Sequence, residues 1–186
     1  MALTYSSYLK IDELLALQQP VSDGPEHDET LFIVIHQVYE LWFKEMLHEL
    51  DFLVVTLGRG DTGRALHTLK RVLTILKVMV HQIDVLETMT PLEFLSFRER
   101  LESGSGFQSF QFRELEFLLG SKRPEALKRY EPGSTARARL ERRLTSPTLW
   151  DALLQYFVAS GHPVPAEALT RDVTQPVASM PALHPL

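Results

Sequence analysis

With 186 residues, 45% of them apolar and 23% charged, the chain is long enough for one domain with a real core and reads as an ordinary globular protein. Its 24 acidic residues outnumber 19 basic ones, a formal net charge of −5 that argues against a nucleic-acid binder and leaves Arg137 to Arg143 as a solvated helix face. Cysteine is absent, no apolar stretch reaches the roughly 18 residues of a membrane span, and no basic-then-apolar leader opens the chain. Disulfides, thiolate metal sites and a cysteine nucleophile are therefore excluded, and a cytoplasmic placement with no membrane contact is expected.

In chain order, Ile11 to Leu17 has the spacing of a short amphipathic helix, and the prolines and glycine of Gln18 to Pro25 make a loop. Asp28 is the expected N-cap of a long helix to about Leu57, striped by Leu31, Ile35, Val38, Trp42, Met46, Leu50 and Leu53 and ended by Gly58-Arg59-Gly60. A second long helix is expected from about Thr62 to Glu87, with Leu66, Leu69, Val72, Leu73, Leu76, Val80, Ile83 and Leu86 as its stripe. Thr90-Pro91-Leu92-Glu93 is a helix start with a capping box, and that helix should end near Glu102. A turn at Ser103 to Gly106 precedes an aromatic-rich helix from Phe107 to Leu119, stopped by Gly120. One or two further turns follow at Pro124 to Tyr130. Helices are then expected over Thr135 to Leu144 and Pro147 to Ser160, the latter capped by Ser146. No period-2 alternation of useful length occurs. The fold class expected is all-α, with long antiparallel helices in a single domain over 1–161 and a proline-rich tail of little amphipathic order over 162–186.

Three segments carry chemistry. In Leu31 to Lys44, His36 sits inside an apolar run, with Glu40 one turn later on the same face. A polar group in such a wall needs a partner, which is either protein or ligand. Arg98 lies one turn from Phe94 and beside Phe97. It reads either as a surface arginine with its stem packed on the ring, or as a bidentate clamp for a carboxylate. Ser105 to Arg113 mixes serine, glycine and aromatics, as does a tight loop entering a helix or a turn packed on a planar ligand. Glu45 and His48 form one Glu-x-x-His, but di-iron bundles need two copies, and no other histidine has an acidic residue three places before it.

Taken in order, Thr4 to Leu9, His27-Asp28-Glu29, Phe32 to Trp42 with its His-x-x-x-Glu-Leu-Trp core, Pro91 to Arg98 and Ser105 to Ser109 resemble the tryptophan 2,3-dioxygenase family over about Leu3 to Gln175. The resemblance implies a helical, homotetrameric enzyme with haem b. Such an enzyme converts L-tryptophan and O2 to N-formyl-L-kynurenine, the first step of the kynurenine pathway. It implies that His36 is the catalytic, distal histidine near the indole N–H. Phe32, Ile33, Val34, Ile35 and His36 would bind substrate together with Phe94 and Arg98, with Phe32 lining the indole pocket and Arg98 pairing with the carboxylate. Tyr5, Tyr8 and Leu9 would reach into a neighbouring subunit's site.

Two departures from the family pattern stand out. Phe94 occupies a position where many members carry a tyrosine whose hydroxyl helps hold the substrate carboxylate. The family's chain also continues further, through the proximal histidine that ligates the haem iron and a glycine-containing loop with a threonine for the substrate ammonium. Neither His162 nor His184 stands in that ligand context, so no axial ligand is identified. The chain therefore reads as a truncated member with apolar helix faces left to associate, and the competing reading is a non-catalytic helical binding or oligomerisation module.

Overall fold

Among the residues described by the computed structural model, 2–24, 26–101 and 108–179, all regular structure is helical and no strand occurs, as the sequence pattern leads one to expect. Contacts gather the chain into two units, Met1–Tyr39 with Met79–Gly106, and Glu40–Val78 with Phe107–Leu186. Two long helices contribute to both: α3, His27–Gly58, and α4, Thr62–Leu86.

In the first unit α1, Tyr5–Leu9, is begun by a reciprocal box between Thr4 and Ser7 and ended by Lys10, whose φ of 55° lets the chain turn at once into α2, Ile11–Leu15. The sequence pattern missed α1 and carried α2 two residues too far. Asp28, expected as a cap, lies inside the first turn of α3. The two long helices run antiparallel here: Tyr39 donates its hydroxyl hydrogen to the Met79 carbonyl at 2.6 Å, and Gln82 donates to the Ile35 carbonyl at 3.4 Å. α5, Pro91–Arg98, starts with the anticipated capping box. Glu93 N–H donates to the Thr90 hydroxyl, and Thr90 N–H to the Glu93 carboxylate. A 3-10 turn, Glu99–Leu101, follows it. The turn expected at Ser103 to Gly106 falls outside the described residues.

In the second unit α6, Phe110–Leu118, packs against α7, Thr135–Thr145, and α8, Leu149–Ala159, packs against α9, Ala166–Leu169. α8 is capped by Thr148 in a box with Asp151, not by Ser146. Ser146 is used instead at the end of α7, its hydroxyl donating to the Arg142 carbonyl at 2.7 Å. The arginines of α7 are more than a solvated face. Arg139 and Arg143 reach the fully buried Glu114, and Arg143 also forks onto Asp51 with both oxygens at 2.6 Å.

The described part of the proline-rich segment makes specific contacts. Ala168 is buried against Leu154, and Arg171 pairs with Asp151 at 2.6 Å. Val177 N–H donates to the Gly120 carbonyl at 2.9 Å. Gly120 has φ 102°, and a Cβ there would come within 2.6 Å of Val177 Cγ2, so both conformation and contact demand glycine.

α4 departs most from expectation. Its buried positions are Ala65, Thr68, Val72, Ile75 and Met79, whereas Leu66, Leu69, Leu73, Leu76, Val80 and Ile83 of the expected stripe are exposed. Both sets have helical spacing, so periodicity could not choose between them. The small Ala65 and Thr68 side chains suit close helix approach, and the branched leucines are left outside.

Candidate functional site

The site residues singled out by the sequence fall within the first unit: Tyr5, Tyr8, Leu9, Phe32 to His36, Phe94 and Arg98. The long helix α3 places Phe32 and His36 one turn apart on one face. Their rings lie 4.1 Å apart, tilted by 38°. His36 Nδ1 is 2.7 Å from the Phe32 carbonyl oxygen. A carbonyl can only accept, so Nδ1 carries the hydrogen, and in the neutral tautomer this selects, Nε2 is the acceptor. Glu40, the residue expected to share His36's face, has its own partner: Gln111 donates to its carboxylate at 2.7 Å and to its carbonyl at 3.0 Å.

α5 brings two rings to this position. Phe32 stands 5.7 Å from Phe94 and 5.6 Å from Phe97, and Phe94 meets Phe97 edge-on at 5.5 Å and 89°. Phe97 is fully buried and anchors the group, while Phe94 is half-buried. Aromatic pairs at such spacing favour offset or edge-to-face geometry, as these rings adopt. Arg98 occupies the last turn of α5, one turn beyond Phe94, and is half-buried. Of the remaining expected residues, Ile35 is core, Ile33 is half-buried and Val34 is exposed. Tyr5, Tyr8 and Leu9 are exposed on α1, at 75%, 69% and 43%.

One functional-looking residue escaped sequence reasoning. Glu29, given no role of its own in the sequence pattern, is buried, and its carboxylate accepts from Val21 N–H at 2.6 Å and Ser22 N–H at 3.2 Å. Burial raises its pKa, but the hydrogen bonds from this loop and the charge of Arg100 outweigh that, so the group lies below its ordinary value. Glu29 thereby ties the 21–22 loop to the start of the helix that carries His36. The only sequence cue was an acid following a Gly-Pro loop.

The fold is all-α, and it sets a helix-borne histidine beside three phenylalanines with an arginine one turn further on, side-chain chemistry of the kind that accepts an aromatic ring bearing a hydrogen-bond donor and an anionic group. A sequence model of the tryptophan 2,3-dioxygenase family matches residues 1–148, and the chain belongs to that family. It is 59% identical over 183 residues to a tryptophan 2,3-dioxygenase of Herpetosiphon aurantiacus, covering 98% of this chain and 70% of that protein. It is 57% identical over 164 residues to one of Anaeromyxobacter sp., covering 88% and 61%, and 44% identical over 174 residues to one of Bacillus thuringiensis, covering 94% and 62%. The chain thus spans roughly two thirds of the length of these curated relatives.

The family is generally haem-dependent. The donor set in the first unit suits one face of such a group: an apolar aromatic wall, and an imidazole held at Nδ1 whose Nε2 has no partner among the described residues. No axial ligand is identified among the described residues. His162 is exposed, with its ring edge against Phe157 at 5.7 Å, and His184 lies outside them.

Proposed function

We propose that this chain forms the distal, substrate-holding part of a haem-dependent tryptophan 2,3-dioxygenase. The reaction opens the pyrrole ring of L-tryptophan with both atoms of O2, giving N-formyl-L-kynurenine, the first step of tryptophan degradation through the kynurenine pathway. The observation that carries this reading is the Nδ1–Phe32 carbonyl hydrogen bond of His36, which leaves Nε2 as acceptor beside an aromatic wall.

Haem b, when bound, supplies the activation of O2. His36 Nε2 accepts the indole N–H and so fixes the ring's orientation. Phe32 and Phe94 exclude water from the indole face, with the buried Phe97 holding both rings in place; Ile35 acts from the core, and Ile33 and Val34 flank Phe32 on the same helical stretch. Arg98 pairs with the substrate carboxylate and selects an amino acid over free indole. Phe94 offers no hydroxyl to that carboxylate, so Arg98 carries more of the recognition. The exposed Tyr5, Tyr8 and Leu9 of α1 complete the site of a neighbouring subunit in a homotetramer, and the enzyme works in the cytoplasm.

Titrating the purified chain with haem, read by the Soret band, and then adding L-tryptophan with reductant and O2 tests this. Saturable haem uptake with N-formylkynurenine formation is expected; haem uptake without product, or no stoichiometric uptake, contradicts it. A second reading, a non-catalytic helical association module, draws on the exposed Leu66, Leu69, Leu73 and Leu76 of α4. It predicts self-association without turnover.

A further inference from the structure

The second unit contains a cavity of about 410 Å³ lined by Arg113, Glu116, Arg123, Glu125, Ala126 and Arg129. Three guanidinium groups face two carboxylates, so the lining holds one positive charge in excess. Glu116 serves two of the arginines: Arg113 Nη1 bonds one carboxylate oxygen, and Arg123 Nη2 lies 3.6 Å from the other. Arg129 has no ion-pair partner among the described residues.

Arg113 is the best placed of the three. Its side chain is nearly enclosed, at 12% exposure, and its guanidinium lies 5.1 Å from the centroid of the Phe112 ring, which fixes the plane of the fork. Its Nε–H is buried and has no acceptor among the described residues. The charge of Arg113 is met by Glu116, and Nε–H leaves one donor of the guanidinium without an acceptor. Planar guanidinium forks match the paired oxygens of carboxylates and phosphates. A volume of this size falls in the range of small-molecule sites, well beyond what a bare inorganic ion fills.

We propose that this cavity binds a small metabolite through an oxyanionic group, a carboxylate or a phosphate, held by Arg113, Arg123 and Arg129. The site is independent of the His36 cluster and belongs to the other unit of the chain. Glu116 orients two of the three arginines, and Glu125 limits the excess charge.

Isothermal titration of the purified chain with inorganic phosphate and, separately, with succinate, at constant ionic strength, tests it. Saturable binding of either probe is expected, and the preferred probe tells phosphate from carboxylate as the natural group. Arg123→Ala and Arg129→Ala, both at the cavity rim and therefore compatible with folding, should each weaken binding by about tenfold or more. His36→Ala should leave it unchanged, which keeps this test separate from that of the dioxygenase reading. No saturable binding of either probe, or binding that survives both arginine substitutions, overturns the proposal.

Discussion

His36 gives its Nδ1 proton to the Phe32 carbonyl at 2.7 Å, one turn back along the same helix, while the two rings stack at 4.1 Å. One bond thus sets both the tautomer and the tilt of the imidazole, and the acceptor left over is Nε2. Because the anchor is backbone, no side-chain substitution at position 32 removes it. Altering Phe32 changes the wall but not the proton.

The missing hydroxyl at position 94 can be supplied. Phe94→Tyr adds one group to a half-buried ring one turn from Arg98. A hydrogen bond to a charged carboxylate contributes about 1.5–3 kcal/mol, so KM for L-tryptophan should fall by about tenfold or more with kcat little changed. Steady-state kinetics of the haem-loaded protein check this. An unchanged or raised KM would place the substrate carboxylate away from this turn of α5.

Glu29 predicts an acid-side weakness. Its folded pKa is depressed below 4.5, so the stability it adds is fully present above the unfolded value and is lost as pH falls through the lower folded value. Glu29→Gln should lower the thermal midpoint at neutral pH and flatten the decline of stability below about pH 4.5 relative to the parent chain. Parallel acid profiles for the two proteins would show that the loop contact does not couple to folding.

Lys122 makes the opposite case. It is buried, and its ammonium donates to the Leu144 carbonyl at 2.8 Å and to the Ser146 carbonyl, closing the end of α7. Burial, followed by the charge of Arg171, pulls its pKa down to about 8. The unfolded chain then holds the proton more tightly than the folded one, so this group's contribution to stability rises as pH climbs from about 8 toward 10.5. Lys122→Met should be destabilised by about 1–3 kcal/mol through its orphaned carbonyls. The gap to the parent should widen over that alkaline window in denaturant titrations, and a gap independent of pH would contradict the assignment.

What was legible in the sequence was local. Thr90, Pro91 and Glu93 write a helix start in four residues, and the structure forms that box. His36 and the aromatic spacing of α5 were visible too, since a polar residue in an apolar run stands out at any range. What failed depends on partners distant in sequence. Ser146 and Thr148 both look like caps, and only the carbonyls at the end of α7 decide which one starts α8. The buried face of α4 could not be chosen because two sets of positions share helical spacing, and the more leucine-rich set is the one left exposed, with Ala65 and Thr68 on the packed face. The order after Gly161 rests on the Arg171–Asp151 pair and on Val177 meeting Gly120, contacts that bridge 20 and 57 positions and that composition does not reveal.

The most direct test of the account is the preference for L-tryptophan over its N1-methyl derivative, measured as a ratio of kcat/KM in the haem-loaded parent and in His36→Ala. Methylation removes the indole donor, so the parent should prefer L-tryptophan strongly, and the preference should shrink by about tenfold or more once the imidazole acceptor is gone. An equal preference in both proteins, or no product from the parent, would contradict the role given to His36 Nε2.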